Sequence, residues 1–191
     1  MENERKTQII KAASKRFARH GLNKTTLDEI ARDLRIGKAT IYHYFDSKDD
    51  LFFETIESDS NLILNDIKTI FNNETLTLKE RFAEYFIYKE NIYEKYKLIY
   101  DLISRLLNDS GFEREILILK KLLTSEEDIL KIALSAVYAG KADPMDPALP
   151  AFFVMTSWGI LFSGRFNKIT EPEKELHTKE FLTRSLETIL K

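Results

Sequence analysis

A chain of 191 residues, 43% of them hydrophobic, is long enough to bury a real core as one domain or two small ones. No run of eighteen apolar residues offers a bilayer span, and Glu2, Glu4, Arg5 and Lys6 leave no apolar leader, so a cytoplasmic location with no membrane partner is expected. The lack of cysteine excludes disulfides, thiolate metal sites and thiol nucleophiles, and three histidines leave little for metal, so no cofactor is expected. The net charge of −2 hides an asymmetry: residues 1–48 hold eleven Lys/Arg against six Asp/Glu, and the acidic excess lies in the rest. Such a split suggests that the N-terminal segment meets a polyanion.

Only six glycines and four prolines punctuate the chain, and apolar residues recur at spacings of three and four, so it reads as all-α. Ile9, Ile10, Ala13 and Phe17 form the stripe of a first helix that ends at Gly21. Thr26-x-x-Glu29 is a capping box before a short second helix carrying Leu27, Ile30, Ala31 and Leu34. After Arg35-Ile36-Gly37 a third short helix runs from Lys38 to about Tyr44. Ser47-x-x-Asp50 then caps a long fourth helix through Leu51, Ile56, Leu62, Ile63, Ile67 and Ile70, with a break at Asn72-Asn73.

Thr77-x-x-Glu80 opens a fifth helix with Phe82, Tyr85 and Phe86 inside and an end near Asn91; a sixth is expected over 93–107. From Phe112 to about Ala139 the pattern is helical throughout. Thr124-Ser125-x-x-Asp128 could be a fresh cap or a surface stretch, and one long helix is the preferred reading. The Asp143-Pro144-Met145-Asp146-Pro147 stretch reads as a loop. Two strong helices, about 149–166 and 173–190, close the sequence.

Two short helices joined by a three-residue turn, with a third behind them and excess positive charge, describe a helix-turn-helix unit. The second helix of such a pair presents small or polar residues to base edges while its neighbours hold phosphates. Lys38, Ala39, Thr40, Tyr42 and His43 lie in its first turn and a half, and Ile41 and Phe45 read as core.

The stretch "TTLDEIARDLRIGKATIYHYFDSKDDLF", Thr25 to Phe52, resembles the DNA-binding segment of the TetR family of transcriptional regulators across roughly residues 8–55. The resemblance rests on the Thr-Thr start, the Ile-Ala of the second helix, the Thr-x-Tyr-x-x-Phe of the third, and the Lys-x-x-Leu that opens the fourth. It implies a helix-turn-helix domain over residues 1–47 and a helical effector-binding and dimerisation domain over 48–191. It further implies Lys38, Ala39 and Tyr42 at base edges and Thr25, Thr26, Thr40, His43 and Lys48 at phosphates. Lysine can donate to guanine O6 or N7, and a tyrosine ring can pack on a thymine methyl. Thr26 must share its hydroxyl between capping and phosphate.

One departure from the family pattern stands out. Glycine is usual where this chain has Arg35, and a small polar residue where it has Gly37. A non-glycine at positive φ costs about 1–2 kcal/mol; Arg35 either accepts that strain or the turn is shaped differently, and an arginine there could equally add a phosphate contact.

One short helix reads few base pairs, so a homodimer across two half-sites is expected. Its seam is assigned to the two C-terminal helices, with Phe152, Phe153, Met155, Trp158, Leu161 and Phe162 on one and Phe181, Leu182, Leu186, Ile189 and Leu190 on the other. Gly159 and Gly164 would let them approach closely. The same residues could instead complete a monomeric core. The family resemblance implies a small-molecule pocket among the middle helices whose occupancy shifts the fourth helix and spreads the DNA-reading heads. Of the many rings there, Phe82, Tyr85, Phe86, Tyr93, Tyr96, Tyr100, Phe112 and Tyr138, each could be plain core. Tyr85, Tyr100 and Trp158 are the candidates for lining it.

The expected activity is that of a ligand-responsive transcriptional regulator, a repressor by the family's usual sign. It would bind double-stranded operator DNA of palindromic sequence and be released by a small-molecule effector. The rivals are an all-helical bundle enzyme and a protein-binding adaptor. A di-iron carboxylate enzyme needs Glu-x-x-His motifs on two helices, and the sequence has none. It also lacks the phosphate-loop, Ser-x-x-Lys and His-Glu-x-x-His signatures, so it is not read as an enzyme. An adaptor would not require the basic first quarter.

Overall fold

The computed structural model describes residues 2–106, 113–139 and 145–170, with side chains in the last stretch described as far as Gly159. Every regular element in these residues is a helix: α1 Glu2–Lys24, α2 Leu27–Asp33, α3 Lys38–Tyr42, α4 Lys48–Phe71, α5 Leu78–Glu90, α6 Ile92–Lys95, α7 Lys97–Leu106, α8 Glu113–Tyr138 and α9 Leu149–Thr170. None of them is long and apolar enough to cross a membrane. The chain forms two compact units, Met1–Leu62 with Tyr96–Lys120, and Ile63–Lys95 with Lys121–Lys191.

In the first unit, Ile9, Ala13 and Phe17 follow the four-residue period of α1 and are buried together, while Ile10 is half-buried. Phe17 meets Phe52 of α4 edge to face at 5.1 Å. Leu27, Ile30 and Ala31 of α2, Ile41 of α3, and Phe45, Leu51 and Ile56 complete this core. The helical path of α1 breaks at Gly21 (φ 76, ψ 168), a conformation open to glycine and unfavourable for other residues. Both expected capping boxes form: each threonine hydroxyl caps N3, and Glu29 and Glu80 accept from the backbone N–H of Thr26 and Thr77. Ser47 Oγ accepts from the Asp50 N–H at 3.0 Å and starts α4 as its sequence signalled.

In the second unit, Phe82, Tyr85 and Phe86 of α5 pack with Phe71 and with Phe153 of α9; Phe82 and Phe153 stand 4.4 Å apart by ring centroid. Arg81 donates to the Phe71 carbonyl at 2.9 Å and the Leu76 carbonyl at 3.0 Å, closing the frayed end of α4 onto α5. Residues 113–138 are one unbroken helix, as preferred from the sequence.

Three expectations change. The helix expected over 93–107 is two, α6 and α7, parted at Tyr96, where the chain passes from one unit to the other. No glycine or proline marks that break. α3 stops at Tyr42 rather than Tyr44. Leu62, assigned to the inner stripe of α4, is exposed, because it lies about 100° around the helix from the buried Ile63. Phe112, part of the proline loop, and the closing helix with Phe181, Leu182, Leu186, Ile189 and Leu190 lie outside the described residues, as do the side chains of Leu161 and Phe162 and any Gly164 contact.

Asp59 of α4 is buried and accepts one hydrogen bond from Ser14 Oγ of α1 at 3.0 Å. Burial pushes its carboxyl up to about 6, against the opposing pull of that hydrogen bond. The folded state thus retains a proton that the unfolded chain releases near pH 4, so stability declines as pH rises from about 4 to about 6. Asp59→Asn should remove the decline, matching the parent near pH 4 and exceeding it by about 1–3 kcal/mol above pH 7, read by urea unfolding at both pH values.

Candidate nucleic-acid interface and buried polar cluster

The α2–turn–α3 segment is built by its caps. α2 ends in a Schellman arrangement: the Ile36 N–H donates to the Ala31 carbonyl (3.0 Å) and the Arg35 N–H to the Arg32 carbonyl (3.1 Å). The residue in the left-handed position is Arg35, at φ 53, the one non-glycine with positive φ among the described residues. The turn therefore keeps the shape glycine would give it, and Arg35 accepts the strain. Gly37, two residues on, has φ −72 and ψ 146, which any residue adopts, and it caps α3 without a side chain. A Cβ added there meets nothing within 4 Å.

α3 is sorted by face. Ile41 is fully buried and Phe45, just beyond, nearly so, whereas Lys38, Ala39, Tyr42 and His43 are exposed and Thr40 is half-buried. His43 stands edge-on to Tyr44 at 5.1 Å. Lys38 Nζ is hydrogen-bonded to Asp28 Oδ2 of α2 at 2.8 Å, and that bond holds its ammonium above its ordinary range. Asp28 ties the lysine of α3 to α2. The contact is exposed and so weakly held, open to exchange for a nucleic-acid acceptor.

The residues expected at phosphates divide. Thr26 is exposed but already carries the capping box, with its hydroxyl donating to Glu29 Oε2 at 2.9 Å. Thr25 is fully buried, and its hydroxyl donates to the Gly21 carbonyl at 2.8 Å. Lys48 is half-buried, with Nζ donating to the Leu22 carbonyl at 2.9 Å. Thr25 and Lys48 thus supply donors to the carbonyls left over at the end of α1, a placement that also suits a cation at a helix C-terminus. Arg16 ties α1 to α2 with a fork onto Asp33, at 2.6 and 2.8 Å.

In the second unit, two of the three ring candidates meet. Tyr85 of α5 donates to Glu126 Oε1 of α8 and lies 2.6 Å from Ser157 Oγ of α9, while Trp158 Nε1 donates to Glu126 Oε2 at 2.9 Å. Lys89, one turn after Tyr85, places Nζ 2.6 Å from Glu126 Oε1 and 3.5 Å from the Trp158 ring centroid. Lys89 and Glu126 are both wholly shielded from solvent. Burial lowers the Lys89 ammonium to about 8, with Glu126 opposing the shift. Burial also raises the Tyr85 hydroxyl well above its usual value. Tyr100 is buried on α7, in the first unit.

Reading the sequence for rings missed Lys89, Glu126 and Ser157. A signal was present: Lys89 continues the buried series Phe82, Tyr85, Phe86 of α5, and Glu126 falls in the series Leu119, Leu122, Leu130, Leu134 of α8. A charge on an apolar stripe is buried with a partner or not at all. Of the expected seam on α9, Phe152 and Met155 are exposed, while Phe153 and Trp158 are buried. No group of three or more His, Asp or Glu side chains that could hold a metal occurs among the described residues.

Residues 9–55 match the family model described as bacterial regulatory proteins, tetR family. The HTH-type transcriptional regulator HbdR of Aromatoleum sp. is 44% identical over 55 residues, 29% of this chain and 24% of that protein. The biofilm operon icaADBC HTH-type negative transcriptional regulator IcaR of Staphylococcus aureus is 29% identical over 99 residues, 52% of this chain and 53% of that protein. The matched stretches thus span between a quarter and about half of those relatives. The crystal structure of the transcriptional regulator FadR from Bacillus subtilis in complex with stearoyl-CoA covers 96% of both chains with a TM-score of 0.67 at 18% identity, a likeness of fold.

Restoring the usual residues to the turn should stabilise the first unit. Arg35→Gly, which relieves the left-handed strain, is expected to gain about 0.5–1 kcal/mol after the entropy lost to glycine. Gly37→Ser, which adds a cap and stiffens the unfolded chain, should gain a similar amount of about 0.5–1 kcal/mol. Urea unfolding of the two variants and their combination checks both.

Proposed function

The chain belongs, through its N-terminal domain, to the tetR family of bacterial regulatory proteins, and on that premise we propose that it is a ligand-responsive repressor. It binds a palindromic operator as a homodimer and leaves it when a small molecule occupies the second domain. The observation that carries the DNA-binding part is the sorting of α3: Ile41 is locked inside while Lys38, Ala39, Tyr42 and His43 share the exposed side of a helix entered through a glycine-like turn. Lys38, Ala39 and Tyr42 read base edges. Thr26, Arg35, Thr40, His43 and Lys48 hold phosphates, and Thr25 acts by securing the end of α1 beneath them.

In this reading residues 1–47 form the DNA-reading domain and 48–191 the effector-binding and dimerisation domain. The exposed Phe152 and Met155 support a seam on α9. Tyr85 and Trp158, brought together on α5 and α9, support an effector site in the second unit.

A gel shift with the DNA upstream of the protein's own gene tests the reading. Binding should weaken steeply with salt. Lys38→Ala should cost about 1–3 kcal/mol and relax sequence preference, whereas Arg35→Ala should weaken all sequences alike and flatten the salt slope by about one. Salt-independent binding, or no binding, would sink the proposal. Sedimentation should give twice the chain mass, falling to the monomer for Met155→Glu.

A further inference from the structure

Charge in the first unit is unevenly answered. Between Ile10 and Phe45 the chain holds eight Lys/Arg against three Asp/Glu. All three acids are committed: Asp28 to Lys38, Glu29 to the Thr26 cap and to Arg16, and Asp33 to the Arg16 fork. Lys11, Lys15 and Arg19 of α1 and Arg32 of α2 are exposed and form no hydrogen bond or ion pair among the described residues. Lys6, elsewhere on α1, is by contrast paired with Glu54 of α4. The three free cations of α1 recur every fourth residue, so they share one face along about 12 Å of helix. Like charges at that spacing repel, and no carboxylate is interleaved to offset them.

The stripe continues onto α2. Asp33 is held below the ordinary carboxylate range first by the Arg16 hydrogen bond and then by the charges of Arg16, Arg32 and Arg19, which places these cations around one carboxylate. Arg32 lies one turn after Asp28, on the side of α2 that holds Lys38 of α3. A basic surface thus leads from Lys38 over Arg32 and Arg19 to Lys15 and Lys11.

We propose that Lys11, Lys15, Arg19 and Arg32 form a phosphate track, which holds the backbone of duplex DNA beyond the base pairs that α3 reads. This rests on the DNA-binding part of the function proposed above and extends its contact surface. With the second helix of a helix-turn-helix pair in the groove, the first crosses the backbone, so cations leading outward from α2 continue along phosphates. Evenly spaced cations suit a polyanion of repeating charge, whose counterions they replace. The track is not the centre of a protein interface, since none of the large apolar side chains exposed among the described residues lies on α1.

Three probes test the track: upstream DNA trimmed to the base pairs whose substitution weakens binding, the same site with about one further helical turn at each end, and a mixed-sequence duplex of the longer length. The parent should bind the extended site at least about tenfold tighter than the trimmed one, with a steeper salt dependence. Combining Lys11→Gln, Lys15→Gln and Arg19→Gln changes only exposed side chains, so helical circular dichroism and Tm should be kept. That variant should lose the advantage of the extended site and flatten its salt slope by about two to three.

No advantage of the extended site in the parent, or an advantage and slope that persist in the variant, would overturn the inference and leave the stripe to an acidic protein or to solvent. The mixed-sequence duplex separates the two readings. If the parent binds it as tightly as upstream DNA, the sequence-specific regulator falls, and the track stands or falls by whether the variant flattens the slope on that duplex. Preference for upstream DNA without any effect of flanking length does the reverse, keeping the regulator and removing the track.

Discussion

What the first unit can present to a partner depends on a single torsion, the positive φ of Arg35. α3 has five residues, far too few to hold a helix or a direction by itself. Its direction comes from the left-handed step that ends α2 and from Ile41 and Phe45, which anchor the far side in the core. Once those are set, the exposed positions of α3 follow from the helical period alone. The backbone geometry is retained under a residue that disfavours it, which says the turn is over-determined by its surroundings: two Schellman hydrogen bonds on one side and two buried side chains on the other.

The same logic gives some polar side chains of this segment a structural task of their own. Thr25 and Lys48 sit at the end of α1, where the break at Gly21 leaves carbonyls without helical partners. A hydroxyl and an ammonium supply the missing donors, so the fold itself requires polar residues at those positions. Asp28 and Arg16 act similarly at the surface, one tying Lys38 of α3 to α2 and the other bracing α2 against α1. A basic, polar segment is thus partly a set of helix-end fittings and partly a charged face, and only the partner of each group distinguishes them.

In the second unit the governing term is the burial of opposite charges. Glu126 and Lys89 are tolerated because each offsets the other and because Tyr85 and Trp158 supply further donors to the carboxylate. Such a network specifies how α5, α8 and α9 register against one another, since a slipped helix would leave a charge unpaired.

Local chemistry was legible without coordinates. The boxes at Thr26 and Thr77 and the cap at Ser47 bind their own neighbours within four residues, so helix starts could be read along the chain, as could the break in the path of α1 at Gly21 and the inward faces of α1, α2 and α5. Three things were decided only in three dimensions. The break at Tyr96 has no breaker residue and reflects which unit claims each side of it. The torsion at Arg35 was an open alternative because propensity argued against a geometry that tertiary packing imposes. The pairing of Lys89 with Glu126 joins residues on different helices, and sequence periodicity, which places a residue on a face, carries no information about what lies opposite it.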